Sequence, residues 1–119
     1  MSEISKLKNK LDNGEKLYSS MLCHIGYTGL PALYKKAGMD FLVMDLEHGS
    51  FCPENIGDFV QICNMIGLPV ITRVQDCEYH CISKPLDMGA DGVLIQRTET
   101  MKQVESQMLV RNYKGFLND

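Results

Sequence analysis

The chain has 119 residues, 45% of them hydrophobic and 23% charged, with a formal net charge of −3. That length holds one domain with its own core, and the composition is that of a folded chain rather than a disordered one. The charges are mixed in sign without a basic stripe, no apolar run is long enough to span a bilayer, and the amino end is too polar for a secretion signal. The expectation is a cytoplasmic protein with neither nucleic acid nor membrane as partner.

Ile4, Leu7 and Leu11 fall at helical spacing and stop before Asn13-Gly14, which predicts a lead-in helix over residues 1–14. Residues 17–26 read as a strand. Leu30, Leu33, Tyr34 and Ala37 then line one helical face, closed by Gly38. Residues 39–45 form a continuous apolar run of strand length, the pattern of a strand buried on both faces and hence of parallel pairing. Ser50 and Pro53-Glu54 look like a helix start, and Ile56, Phe59, Val60, Cys63 and Ile66 keep one face apolar up to Gly67. "LPVITRV" is a third strand, residues 78–88 a weaker helix interrupted by Pro85, and residues 89–95 a turn and fourth strand. Met101, Val104 and Met108 trace a final helix. Four strand-helix units with short connections make an α/β chain with a parallel sheet and right-handed crossovers.

The five cysteines, Cys23, Cys52, Cys63, Cys77 and Cys81, are odd in number and contain no CxxC pair, so reduced thiols are expected. Cys77, His80 and Cys81 lie close together, and a metal reading is conceivable beside that of thiols packed on a helix.

In parallel α/β folds ligands sit at the carboxyl ends of the strands, where loops converge and helix amino termini point their dipoles. Here those ends carry Cys23-His24, then Asp45, Glu47 and His48, then Arg73, then Gln96 and Arg97. A buried strand cannot carry charges along its length without large desolvation costs, so they collect where the sheet stops. His48 beside two carboxylates is a candidate general base, and Asp45 and Glu47 could equally cap a loop. Arg73 offers a planar fork for a carboxylate or phosphate, or an ion pair with Asp45 or Glu47 that holds the rim together.

"KKAGMDFLVMDLEHGSF", "LPVITRV" and "ISKPLDMGADGVLIQRTET" resemble, in order and spacing, the HpcH/HpaI aldolase/citrate lyase family of class II pyruvate aldolases, over about residues 17 to 113. The resemblance implies a TIM (β/α)8 barrel of the phosphoenolpyruvate/pyruvate superfamily, of which residues 1–119 supply the first four βα units as an N-terminal half barrel. It implies divalent-metal-dependent cleavage or condensation of a 2-oxo acid and an aldehyde. His48 would be catalytic and Arg73 would hold the oxo acid, with Gln96 at the substrate rim. Asp45 and Glu47 would stand beside the water bound to a Mg²⁺ or Mn²⁺ ion. Asp87 matches the aspartate that pairs with the histidine, yet it lies at a helix tail, which points it to the other end of the barrel. A pairing with His48 would then involve a neighbouring subunit. The carboxylates that bind the metal directly belong to later strands of the family's barrel, which has about 250 residues. Activity would therefore need a C-terminal half or an oligomer. The alternatives are a receiver-like flavodoxin-type module with Asp45 as phosphoacceptor, or a catalytically silent aldolase fragment.

Overall fold

The computed structural model describes residues 2–24, 26–46, 53–76, 78–96 and 98–105. Its elements are α1 (Glu3–Asp12), β1 (Ser19–Leu22), α2 (Leu30–Lys36), β2 (Phe41–Asp45), α3 (Pro53–Ile66), β3 (Val70–Val74), α4 (Tyr79–Asp87) and β4 (Gly92–Ile95). Residues 101–105 are helical, and the rest of the predicted final helix lies outside the described residues.

The four strands form one sheet in the order β1-β2-β3-β4, every neighbouring pair parallel. In this sequential order each right-handed crossover steps the same way, so all the crossover helices fall on one face. Core packing agrees. Leu22, Leu42, Met44 and Val70 of the strands meet Ile56, Phe59, Val60 and Cys63 of α3, while Val74, Val93 and Ile95 meet Ile82 and Leu86 of α4. Side chains alternate across a strand, so Met21, Val43, Asp45, Ile71, Arg73 and Leu94 turn to the opposite face. No helix lies there among the described residues, and Met21 and Leu94 remain 44% and 43% exposed. The arrangement is half of a (β/α)8 barrel, with the helix-free face corresponding to its interior. A flavodoxin-type sheet would place β1 between β2 and β3. Here β2 takes that position, which removes the topological basis of the receiver alternative.

Two local expectations are corrected. In α2 the predicted inward residues Leu33 and Ala37 face solvent, Leu33 at 60% exposure, whereas Pro31 is buried and Leu30 and Tyr34 pack on the core. A seven-residue helix is oriented by where the chain leaves β1, and its apolar stripe is too short to override that. In α4, Pro85 does not interrupt the helix, which runs on to Asp87 with the proline buried. The amide that proline lacks would have met the carbonyl of Cys81 in the first turn, so a single bond is lost near one end.

The amino-terminal end of the sheet is closed by α1. Ser2 caps it by accepting from the Ser5 amide at 3.2 Å. Lys10 Nζ lies 2.8 Å from Asp40 Oδ1, and the Tyr18 amide donates to Asp40 Oδ2 at 2.8 Å, tying α1 to the start of β2. Lys35 donates to the Ile66 and Gly67 carbonyls at the tail of α3, where a cation also suits the helix dipole. Among the described residues no helix is long and apolar enough to cross a membrane.

Candidate active site

Two of the predicted residues meet where β2 and β3 end. Asp45 and Arg73 are direct partners in the parallel register, so their side chains leave the sheet side by side on the helix-free face. The Leu46 amide donates to the Arg73 carbonyl at 2.8 Å, which extends the pairing past the last strand residue. Asp45 is only 2% exposed. A carboxylate buried that far needs charge or hydrogen-bond compensation, and it has both. Arg73 Nε stands 3.7 Å from Oδ1, and the Cys23 thiol donates to Oδ2 at 3.7 Å. The guanidinium reaches on across β2, its Nη1 lying 3.7 Å from Met21 Sδ of β1. One end of the guanidinium is thus oriented by the buried carboxylate, while the side chain as a whole keeps 17% exposure. A fixed, planar, partly open cation of this kind can take a carboxylate in two-point contact. Of the two readings of Arg73, the geometry shows the ion pair with Asp45, and the partly open end of the guanidinium is compatible with an anion.

The other predicted residues stand as follows. His48 and Glu47 lie outside the described residues, as do Cys77 and Arg97. Gln96 directly follows β4 and is half-buried, at the same end of the sheet as Asp45 and Arg73. Asp87 is exposed and is the last residue of α4. That helix runs back along the sheet, and its tail leads to Asp91, whose carboxylate accepts from the Val70 amide at the start of β3, at 2.8 Å. Asp87 is therefore at the end of the sheet remote from Asp45 and Arg73. His80 Nε2 and Cys81 Sγ lie 3.5 Å apart, yet among the described residues no three His, Cys, Asp or Glu side chains converge as a metal site would require.

Cys23 and Met21 are the site residues whose roles the sequence left unread. Their signal is the alternation along β1, which puts both on the face that Asp45 and Arg73 occupy, but only the register of β1 against β2 makes Cys23 a partner of Asp45. A separate hollow of about 200 Å³, lined by Leu46, Ile56, Val74, Cys81 and Met88 among others, lies on the helix-covered side. It is an imperfectly filled seam between α3 and α4, apart from the charged pair.

No protein-family model and no curated protein matches the chain. Solved structures do. An HpcH/HpaI aldolase from Desulfitobacterium hafniense DCB-2 is 25% identical with a TM-score of 0.77, over 85% of this chain and 39% of that one. An HpcH/HpaI aldolase/citrate lyase family protein from Burkholderia cenocepacia J2315 is 25% identical with a TM-score of 0.74, over 88% and 42%. The citrate synthase SbnG is 27% identical with a TM-score of 0.74, over 85% and 41%. The chain spans about two-fifths of the length of each. The family resemblance carried by the motifs is thus also a resemblance of folded structure, to proteins of the aldolase and lyase type.

Proposed function

We propose that this chain supplies the oxo-acid-gripping half of a carbon-carbon lyase site, acting on a 2-oxo acid through its enolate. The observation that carries the reading is the Asp45-Arg73 pair, set at the carboxyl ends of neighbouring strands on the barrel-interior face. In this reading Arg73 binds the carboxylate of the oxo acid. Asp45 fixes the guanidinium plane, and Cys23 fixes Asp45. Cleavage of the aldol needs a base for the hydroxyl proton as the carbon-carbon bond breaks and charge passes to the enolate oxygen. His48, by resemblance, is that base. Gln96 lies at the same rim, where it can meet the substrate's far end. For Asp87 to pair with His48, the two would have to come from different subunits.

The described residues do not fit a complete metal site. At this rim Asp45 is already committed to Arg73 and Cys23, and among the described residues no three metal-ligating side chains converge. A Mg²⁺ or Mn²⁺ ion of the kind the resemblance implies would need carboxylates from outside these residues.

The test is proton exchange at the methyl group of pyruvate in deuterated water with Mg²⁺ or Mn²⁺, alongside pyruvate titration of the labelled chain by NMR. The expected results are a pyruvate-dependent shift at the Arg73 guanidinium and exchange that Arg73→Met abolishes. A folded sample showing neither would refute the reading.

A further inference from the structure

The geometry points to a thiol-modification site at Cys81, where a small disulfide with an apolar body and an acidic end exchanges onto the Cys81 sulfur in the hollow between α3 and α4. The site lies on the helix-covered side of the sheet, apart from Asp45 and Arg73, and it is independent of the lyase reading.

Cys81 stands in the first turn of α4, half-buried, and its Sγ lies 3.5 Å from His80 Nε2. Successive residues on a helix do not normally face one another. These two meet because both side chains turn into the hollow that they line. On the far side of the ring, Glu78 Oε2 stands 3.6 Å from His80 Nδ1. A carboxylate there favours the tautomer that carries its proton on Nδ1, which leaves Nε2 to accept from the thiol. Lys84, one turn further along α4, lines the same hollow and is exposed. A thiol beside an imidazole, a cation and a helix amino terminus has the surroundings in which thiolates form and react. The other described thiols are placed differently, since Cys63 is fully buried in the core and Cys23 donates to the Asp45 carboxylate.

The hollow decides which disulfides reach the sulfur. Its volume is about 200 Å³, and Leu46, Ile56, Val74 and Met88 make its wall apolar. A dry cavity of about 150 Å³ in another protein holds benzene, so this one admits a body the size of one aromatic ring. Lys84 suits an anionic group on that body. In the exchange, Cys81 Sγ gives its proton to His80 Nε2 and attacks one sulfur of a disulfide RS–SR. The bond from Cys81 to that sulfur forms as the RS–SR bond breaks, and the departing RS⁻ takes the proton from His80. Cys81 is oxidised to the mixed disulfide, and the other RS unit is reduced and leaves as a thiol.

Initial-rate exchange of the folded chain with dithiobis(nitrobenzoate), an aromatic disulfide bearing carboxylates, tests the site. Released thionitrobenzoate gives the rate, and peptide mass spectrometry after acid quenching gives the position. Cystamine, cationic and without a ring, is the comparison disulfide. Cys81 should form the aromatic adduct roughly tenfold faster than Cys23 or Cys63 at about pH 7, and Cys81→Ser should remove that fast phase. His80→Gln should slow the reaction roughly tenfold at about pH 7 and leave it unchanged at about pH 10, above the ordinary thiol value of about 8.5, where a thiol ionises without a neighbouring base. Lys84→Met should slow the acidic disulfide more than cystamine. Should a variant unfold by circular dichroism, the ranking of thiols and of disulfides on the unaltered chain still decides. Equal rates at Cys81 and Cys23, or cystamine reacting as fast as the aromatic disulfide, would overturn the assignment. So would a His80→Gln rate that is unchanged at about pH 7, or slowed equally at both pH values, because the imidazole would then not be the base.

Discussion

Replacing Asp45 by Asn removes the charge that Arg73 faces while nearly keeping the shape. At 3.7 Å and an effective dielectric constant of about 20, the attraction between unit charges is about 4 kcal/mol. Desolvation offsets much of it, because the carboxylate is 2% exposed and holding an ion out of water costs several kcal/mol. Truncating one member of a fully buried pair typically costs about 3–5 kcal/mol. Arg73 keeps 17% side-chain exposure and can partly rehydrate, so about 2 kcal/mol is the expected loss for Asp45→Asn. Urea unfolding followed by circular dichroism, at one fixed protein concentration, measures it. Arg73→Met and the double variant complete a cycle whose coupling term should be about 2 kcal/mol. A loss within about 0.5 kcal/mol of zero, or additive single changes, would show that Asp45 does not hold the guanidinium.

The Thr72 hydroxyl is fully buried with no hydrogen-bond partner among the described residues. Since an unsatisfied hydroxyl costs about 1–3 kcal/mol, Thr72→Val should stabilise the fold by about 1 kcal/mol in the same urea assay. Gly89 has φ of +106°, and a Cβ there would stand 2.5 Å from Asn64 Nδ2; Gly89→Ala should therefore lower stability by about 1–2 kcal/mol or more, measured by thermal unfolding. Burial, with the Asp91 carboxylate adding to it, pushes the Cys63 thiol up to about 12 from 9.0. The folded chain keeps a proton that the unfolded thiol releases near 9, so this contribution is whole below that pH and declines as pH rises towards 12. Cys63 should be the slowest to react of the described thiols, Cys23, Cys63 and Cys81, in native thiol titration. Asp40 is held below its ordinary 3.8 by the hydrogen bond from Lys10 and then by the Tyr18 amide. Its contribution is present above 3.8 and lost as pH falls through the lower folded value, so Asp40→Asn should reduce the fall in melting temperature between about pH 5 and pH 3.

Much of the architecture was legible along the chain. The apolar run before Asp45, the helical stripe from Ile56 to Ile66 and the glycines that end helices are local signals, and they located β2, α3 and the turns. Where the signal was short it misled. The stripe of α2 predicted Leu33 inward, and Pro85 predicted a break, because seven residues or one missing amide weigh less than the packing around them. At the rim, the residue types at Asp45 and Arg73 were readable as a charged pair or an anion clamp, and the spacing could not choose between the two.

By itself the sequence determined the alternation of strands and helices and which residues stand at strand ends, since both follow from periodicity and from the cost of burying charge. Strand order, register and burial were decided only in three dimensions. They put Cys23 against Asp45, set Arg73 across the interior face and, among the described residues, left that face bare of helices. Contacts between strands depend on which segments pair and with what offset, and no single segment encodes that.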